Sequence, residues 1–124
     1  MNTQQLVKQI VTSLDTHKAL NIRVLRVTDV TSLADYFVIA AGSSSTHVRS
    51  LVDYTEFDLN QQGVHPLHTE GYQTSLWTLL DYGSVVVHLF QEQTRDFYDL
   101  ERLWQDAEEL DVMTFLEEQN DEEV

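Results

Sequence analysis

Leu6, Val7, Ile10 and Leu14 recur at helical spacing behind Asn2 and Thr3, either of which can cap a helix, so residues 3–17 read as an amphipathic helix. Residues 22–27 are rich in β-branched side chains between polar punctuation and read as a strand. Residues 36–41 are apolar at both parities, the pattern of a central strand covered on two faces. They run into Gly42-Ser43-Ser44-Ser45, whose hydroxyls can cap a following helix, and there Val48, Leu51, Val52, Thr55 and Leu59 form one stripe. Gly63 stops that helix. A short strand is expected within residues 64–69, confined to a sheet edge by Pro66.

Residues 76–80 and 85–90 read as two strands joined by a tight turn at Asp81-Tyr82-Gly83-Ser84. A pairing of Leu80 with Val85 sets Leu79 opposite Val86 and Trp77 opposite His88, and a register shift moves all of them. Phe97, Leu100 and Trp104 mark a third helix from about Thr94, and Leu110, Met113 and Leu116 can extend helicity beyond it. No internal repeat or linker interrupts the order helix, strand, strand, helix, strand, strand, helix. The expected class is α/β or α+β: a single domain with a mixed β-sheet and helices packed on it.

Composition agrees with one packed domain, since the 124 residues are 42% hydrophobic and carry five Phe, five Tyr and two Trp against four Gly and one Pro. There is no cysteine, which excludes disulfides and thiolate metal sites and fits a reducing compartment. No apolar run approaches the length of a membrane span, and the N-terminus has neither a signal core nor an Arg-rich transit pattern, so a cytoplasmic protein is expected. Charge changes the picture most. With 21 acids against 7 bases the net charge is −14, which repels a phosphate backbone and argues against a direct grip on nucleic acid. Nine of the acids fall in residues 106–124, where there is no base, so residues 1–107 are read as the domain and 108–124 as an acidic C-terminal tail. That tail either steers the protein to a basic partner or keeps it soluble, and the second reading is preferred.

Three constellations invite a chemical reading. A Gly-Ser turn such as Gly42-Ser43, facing two or three carboxylates that hold Mg²⁺, is the equipment of a metal-dependent nucleotidyltransferase. No strand here carries the Asp-x-Asp or Asp-x-Glu such a site needs, and Asp81 stands alone, so strand end and helix cap is the better reading of residues 42–45. His65 and His68 with Glu70 have zinc-type donors, but three-residue spacing in an extended segment points the two imidazoles to opposite faces. They are read as surface or partner-contacting residues, so no metal and no cofactor is expected. His88, inside an apolar strand, is read as a hydrogen-bonded core or interface histidine.

The stretch Ala34-Asp35-Tyr36-Phe37-Val38-Ile39-Ala40-Ala41-Gly42-Ser43-Ser44, followed by His47-Val48, resembles the first motif of the iojap/ribosomal silencing family. The later segments Glu70-Gly71, Trp77-Thr78-Leu79-Leu80-Asp81-Tyr82-Gly83, Val85-Val86-Val87-His88-Leu89-Phe90 and Arg95-Asp96-Phe97-Tyr98-Asp99-Leu100-Glu101-Arg102-Leu103-Trp104 complete an ordered set similar to that family. The resemblance spans roughly residues 6–107. Two departures stand out: Ser84 occupies a place where the family usually has Asp, which removes one charged contact at the hairpin, and Arg26 a place where an acid is common.

The resemblance implies a nucleotidyltransferase-like fold, without the catalytic carboxylates, that serves as a binding module and not an enzyme. It implies binding to the large ribosomal subunit, chiefly its protein fourteen on the intersubunit face, so that the small subunit cannot join. A homodimer in the free state is compatible with it. The partner-binding residues it points to are Glu70, Trp77, Leu79, Asp81, Tyr82 and His88. Trp77, Leu79 and Asp81 share a strand parity, with Tyr82 at the turn; Trp77 reads as an interface anchor, Leu79 as either anchor or core, and Asp81 and Tyr82 as a polar rim. Arg95, Tyr98, Glu101 and Trp104 read as helix packing and ion pairing. A nucleotidyltransferase and an adaptor for some other protein are the rival readings.

Overall fold

The computed structural model describes residues 1–94 and 105–121, with side chains of the final helix as far as Leu116. In chain order it contains α1 (Thr3–Thr16), β1 (Leu20–Arg26), β2 (Tyr36–Gly42), α2 (Ser45–Asn60), β3 (His68–Glu70), β4 (Trp77–Asp81), β5 (Val85–Gln91), β6 (Glu108–Leu110) and α3 (Val112–Asp121). The expected helix from Thr94 through Phe97, Leu100 and Trp104 lies outside the described residues, although the chain enters helical geometry at residues 92–94.

The helices begin where side chains can satisfy their free amides. Asn2 closes a capping box on α1: its Oδ1 accepts from the Gln5 amide at 2.8 Å, and Gln5 Oε1 accepts from the Asn2 amide at 3.0 Å. Ser44 caps α2 by accepting from the His47 amide at 3.1 Å. All five residues of the α2 stripe are buried, as are Leu6, Val7, Ile10, Val11 and Leu14 of α1.

One six-stranded mixed sheet has the order β3-β4-β5-β2-β1-β6. Among the described residues only β2 and β5 run parallel; every other pair is antiparallel. The central position of β2 explains its apolar residues at both parities, since Val38, Ile39, Ala40 and Ala41 are all fully buried. Helices α1, α2 and α3 pack over one face, closing a core with Val24, Val38, Val87 and Leu89. Leu25, Phe37, Ile39, Val86 and Phe90 form a second apolar cluster on the opposite face, joined by Trp77, Leu79 and Ala107. Strand β3 is short and at the edge, where Pro66 placed it, but it begins only at His68.

Two features depart from the sequence reading. The β4–β5 hairpin pairs Leu80 with Val87, Leu79 with His88 and Trp77 with Phe90, two residues away from the expected register. The loop is shorter than expected: Tyr82 donates to the Val85 carbonyl at 2.9 Å, leaving Gly83 and Ser84 as the turn. Gly83 makes this tight connection by adopting φ +88, and Asp81 Oδ1 accepts from its amide at 2.7 Å.

Residues after 107 also do more than their charge suggested. Glu108–Leu110 pair with β1 as an edge strand, and Arg23 grips Glu109 with Nε at 3.0 Å and Nη2 at 2.6 Å. Arg26 Nε sits 3.1 Å from Glu108. Leu110, Val112, Phe115 and Leu116 then pack against the helix-side core.

Candidate protein-binding face

Alternation along β4 sends Thr78 and Leu80 into the helix-side core and leaves Trp77, Leu79 and Asp81, each partly exposed, on the other face. The registers carry this face across the sheet, with Glu70, Leu79, His88 and Ile39 in one row and Asp81, Val86 and Phe37 in the next. Trp77 therefore stands at the end of β4, above its cross-strand partner Phe90. The two rings stack with centroids 5.3 Å apart and planes 24° from parallel. The indole Nε1–H donates to His88 Nδ1 at 3.1 Å, a diagonal contact along the hairpin.

His88 lies beneath this face, only 4% exposed. Phe37 meets its ring edge-on at 4.8 Å. Burial pushes its pKa down to about 4, so the imidazole is neutral at physiological pH. Its other nitrogen, Nε2, is buried without a hydrogen-bond partner among the described residues.

Of the six residues singled out in the sequence, Trp77, Leu79, Glu70 and His88 come together here. Glu70 is exposed on β3 beside Leu79, its carboxylate 3.0 Å from His68 Nε2. Asp81 shares the face, but one carboxylate oxygen is engaged in capping Gly83. Tyr82 does not join the rim assigned to it. In the observed register it falls on the same side as Leu80, is 8% exposed within the helix-side core, and its buried hydroxyl has no partner among the described residues. Burial raises the phenol above its usual pKa.

The loop that delivers Trp77 escaped the sequence reading. Gly71 has φ +79, and a Cβ there would lie 2.1 Å from the Trp77 carbonyl oxygen. Buried Ser75 donates its amide to the Gly71 carbonyl at 3.1 Å and its hydroxyl to the Tyr72 carbonyl at 3.0 Å. Arg49 Nη2 donates to the Gln73 carbonyl at 2.8 Å, and the Tyr72 hydroxyl to Asp53 at 3.2 Å, tying the loop to α2. The glycine of Glu70-Gly71 was the one signal available.

The other constellations have structural partners. Gly42 abuts Val48, where an added Cβ would come within 2.9 Å, and the Ser43 amide donates to His47 Nδ1 at 2.9 Å. His65 lines a cleft of about 320 Å³ with Phe57, Asn60 and Pro66, a lining that includes neither His68 nor Glu70. Among the described residues no group of three His, Cys, Asp or Glu is placed to hold a metal, and no helix is long and apolar enough to cross a membrane.

Fold and face together define a small α+β module that presents a supported tryptophan from the start of β4. The family model described as "Ribosomal silencing factor during starvation" matches residues 1–124. The protein named "Ribosomal silencing factor RsfS" in Halalkalibacterium halodurans is 35% identical over 107 residues, covering 86% of this chain and 92% of that one. Its namesake in Bacillus subtilis is 33% identical, covering 86% and 91%. A crystal structure of a Chromobacterium violaceum protein superposes with a TM-score of 0.82 at 33% identity, over 85% of this chain and 88% of the other. The chain belongs to the ribosomal silencing factor family.

Proposed function

We propose that this protein is a non-catalytic translation repressor that docks on the large ribosomal subunit, chiefly through that subunit's protein fourteen, and keeps the small subunit from joining. The observation that carries the reading is Trp77, held on Phe90 and His88 beside Leu79 at the start of β4 and still partly exposed, in a domain of this family. A large, rigid aromatic in a supported setting is the kind of side chain that anchors protein interfaces. The action is steric: a folded domain on the intersubunit surface excludes another body from the same volume, which requires no cofactor. A net charge of −14 complements a basic ribosomal protein and disfavours direct contact with rRNA. The setting is the cytoplasm.

The transferase alternative lacks support in the geometry. Asp81 lies level with Phe37 in the sheet, five residues and about 16 Å along β2 from the Gly42 turn it would need to face. The Ser43 amide, which such a turn offers to phosphate, is already engaged by His47.

Sucrose-gradient co-migration with separated subunits tests the reading. The protein is expected with free large subunits and absent from small ones; equal recovery with both would contradict it.

A further inference from the structure

We infer that His88 is a positioning residue that makes no partner contact itself and holds the Trp77 indole in its docking orientation through Nδ1. The inference rests on the reading of Trp77 as an interface anchor and adds to it the group that fixes the anchor.

An indole N–H can only donate, so His88 Nδ1 must accept and carries no proton. The neutral ring then keeps its proton on Nε2, which is buried and has no acceptor among the described residues. An unsatisfied buried donor costs stability. Its neighbours, the Phe37 ring and the row residues Leu79 and Ile39, are apolar, so a phenylalanine in its place would be free of that cost. A histidine there retains one thing a phenylalanine lacks, the acceptor aimed at Trp77.

Among the described residues, two contacts constrain the indole. Phe90 supports its face and sets the tilt; the hydrogen bond to His88 fixes which edge turns inward and stops rotation about the Cβ–Cγ bond. An anchor already in its bound rotamer loses less conformational freedom on docking.

The test compares full-length wild type, His88→Phe and Trp77→Ala for large-subunit affinity and thermal melting. It also uses ¹⁵N NMR of the imidazole and of the Trp77 indole in a Trp104→Phe background. Wild type is expected to show an unprotonated Nδ1 and a slowly exchanging indole N–H. His88→Phe is expected to melt at or above wild type, to exchange the indole proton faster, and to bind about three- to tenfold more weakly. A protonated Nδ1 in wild type overturns the inference whether or not the variant folds. So does a folded His88→Phe that binds like wild type while Trp77→Ala is impaired, or one whose binding falls only with its unfolded fraction. If Trp77→Ala also binds like wild type, the docking reading of the face itself fails.

Discussion

Trp77 and Phe90 are direct cross-strand partners in the β4–β5 hairpin, and their stacked rings make a supported platform on the sheet face opposite the helices. The arrangement separates the contribution of Trp77 to folding from its contribution to docking. Phe90 is fully buried and belongs to the core, whereas Trp77 packs on that core and remains partly exposed.

Replacing Trp77 by Ala is therefore expected to weaken large-subunit binding by about 2 kcal/mol or more, the scale of an interface anchor. The domain should stay folded, because a partly exposed ring costs less on removal than the roughly 3–5 kcal/mol of a fully buried one. Thermal melting beside a binding titration decides the matter. Binding that declines only as far as the unfolded fraction rises would assign Trp77 to the core.

Stability should depend on pH through His88. Its pKa falls from 6.5 to about 4 on folding because burial disfavours the charged ring. Between those values the unfolded chain binds the proton more tightly than the native one, so acid favours unfolding. The stability is fully present above pH 6.5 and is lost as pH falls toward 4, by roughly 3 kcal/mol for the 2.5-unit difference. Urea denaturation at pH 7, 5.5 and 4 measures it, and His88→Phe should remove this part of the slope. An identical slope in the variant would assign the acid sensitivity to other groups.

Gly71→Ala is expected to destabilise the fold by about 1–3 kcal/mol, because φ +79 is strained for alanine. The clash of its Cβ with the Trp77 carbonyl oxygen adds to that cost and is relieved only if the loop backbone at residue 71 or the strand end that carries the anchor moves. Affinity should fall beyond the loss of folded protein. A variant with wild-type melting and affinity would show that the loop does not position Trp77.

Truncation after Ala107 distinguishes an appendage from a structural element. Loss of β6 and of Leu110, Val112, Phe115 and Leu116 from the core is expected to cost about 2–3 kcal/mol after the entropy of ordering the segment is set against burial. An unchanged melting temperature would make the segment a solubilising tail.

Most of the fold was legible because its central elements carry redundant signals. The apolar runs of β2 and β5, the α2 stripe and the capping residues Asn2 and Ser44 each report on local geometry that tertiary context reinforces. Strand β6 was hidden because Glu108 and Glu109 read as solvated acids until Arg23 and Arg26 are placed across from them. The shared face of Trp77, Leu79 and Asp81 followed from alternation alone, and a two-residue register error leaves such parity intact. Tyr82 was misplaced because its side depends on whether it ends a strand or sits in a turn, and the freedom of Gly83 decided that. Nothing local marked His88 as the acceptor for Trp77, since that contact exists only once the hairpin is in register.

The central claim is steric exclusion by a docked domain, and subunit association followed by light scattering tests it most directly. Large subunits preincubated with the wild-type protein are expected to stop joining small subunits as the protein approaches one copy per particle, while the same concentration of folded Trp77→Ala leaves joining largely intact. Normal joining with wild-type protein bound to every large subunit would contradict the account.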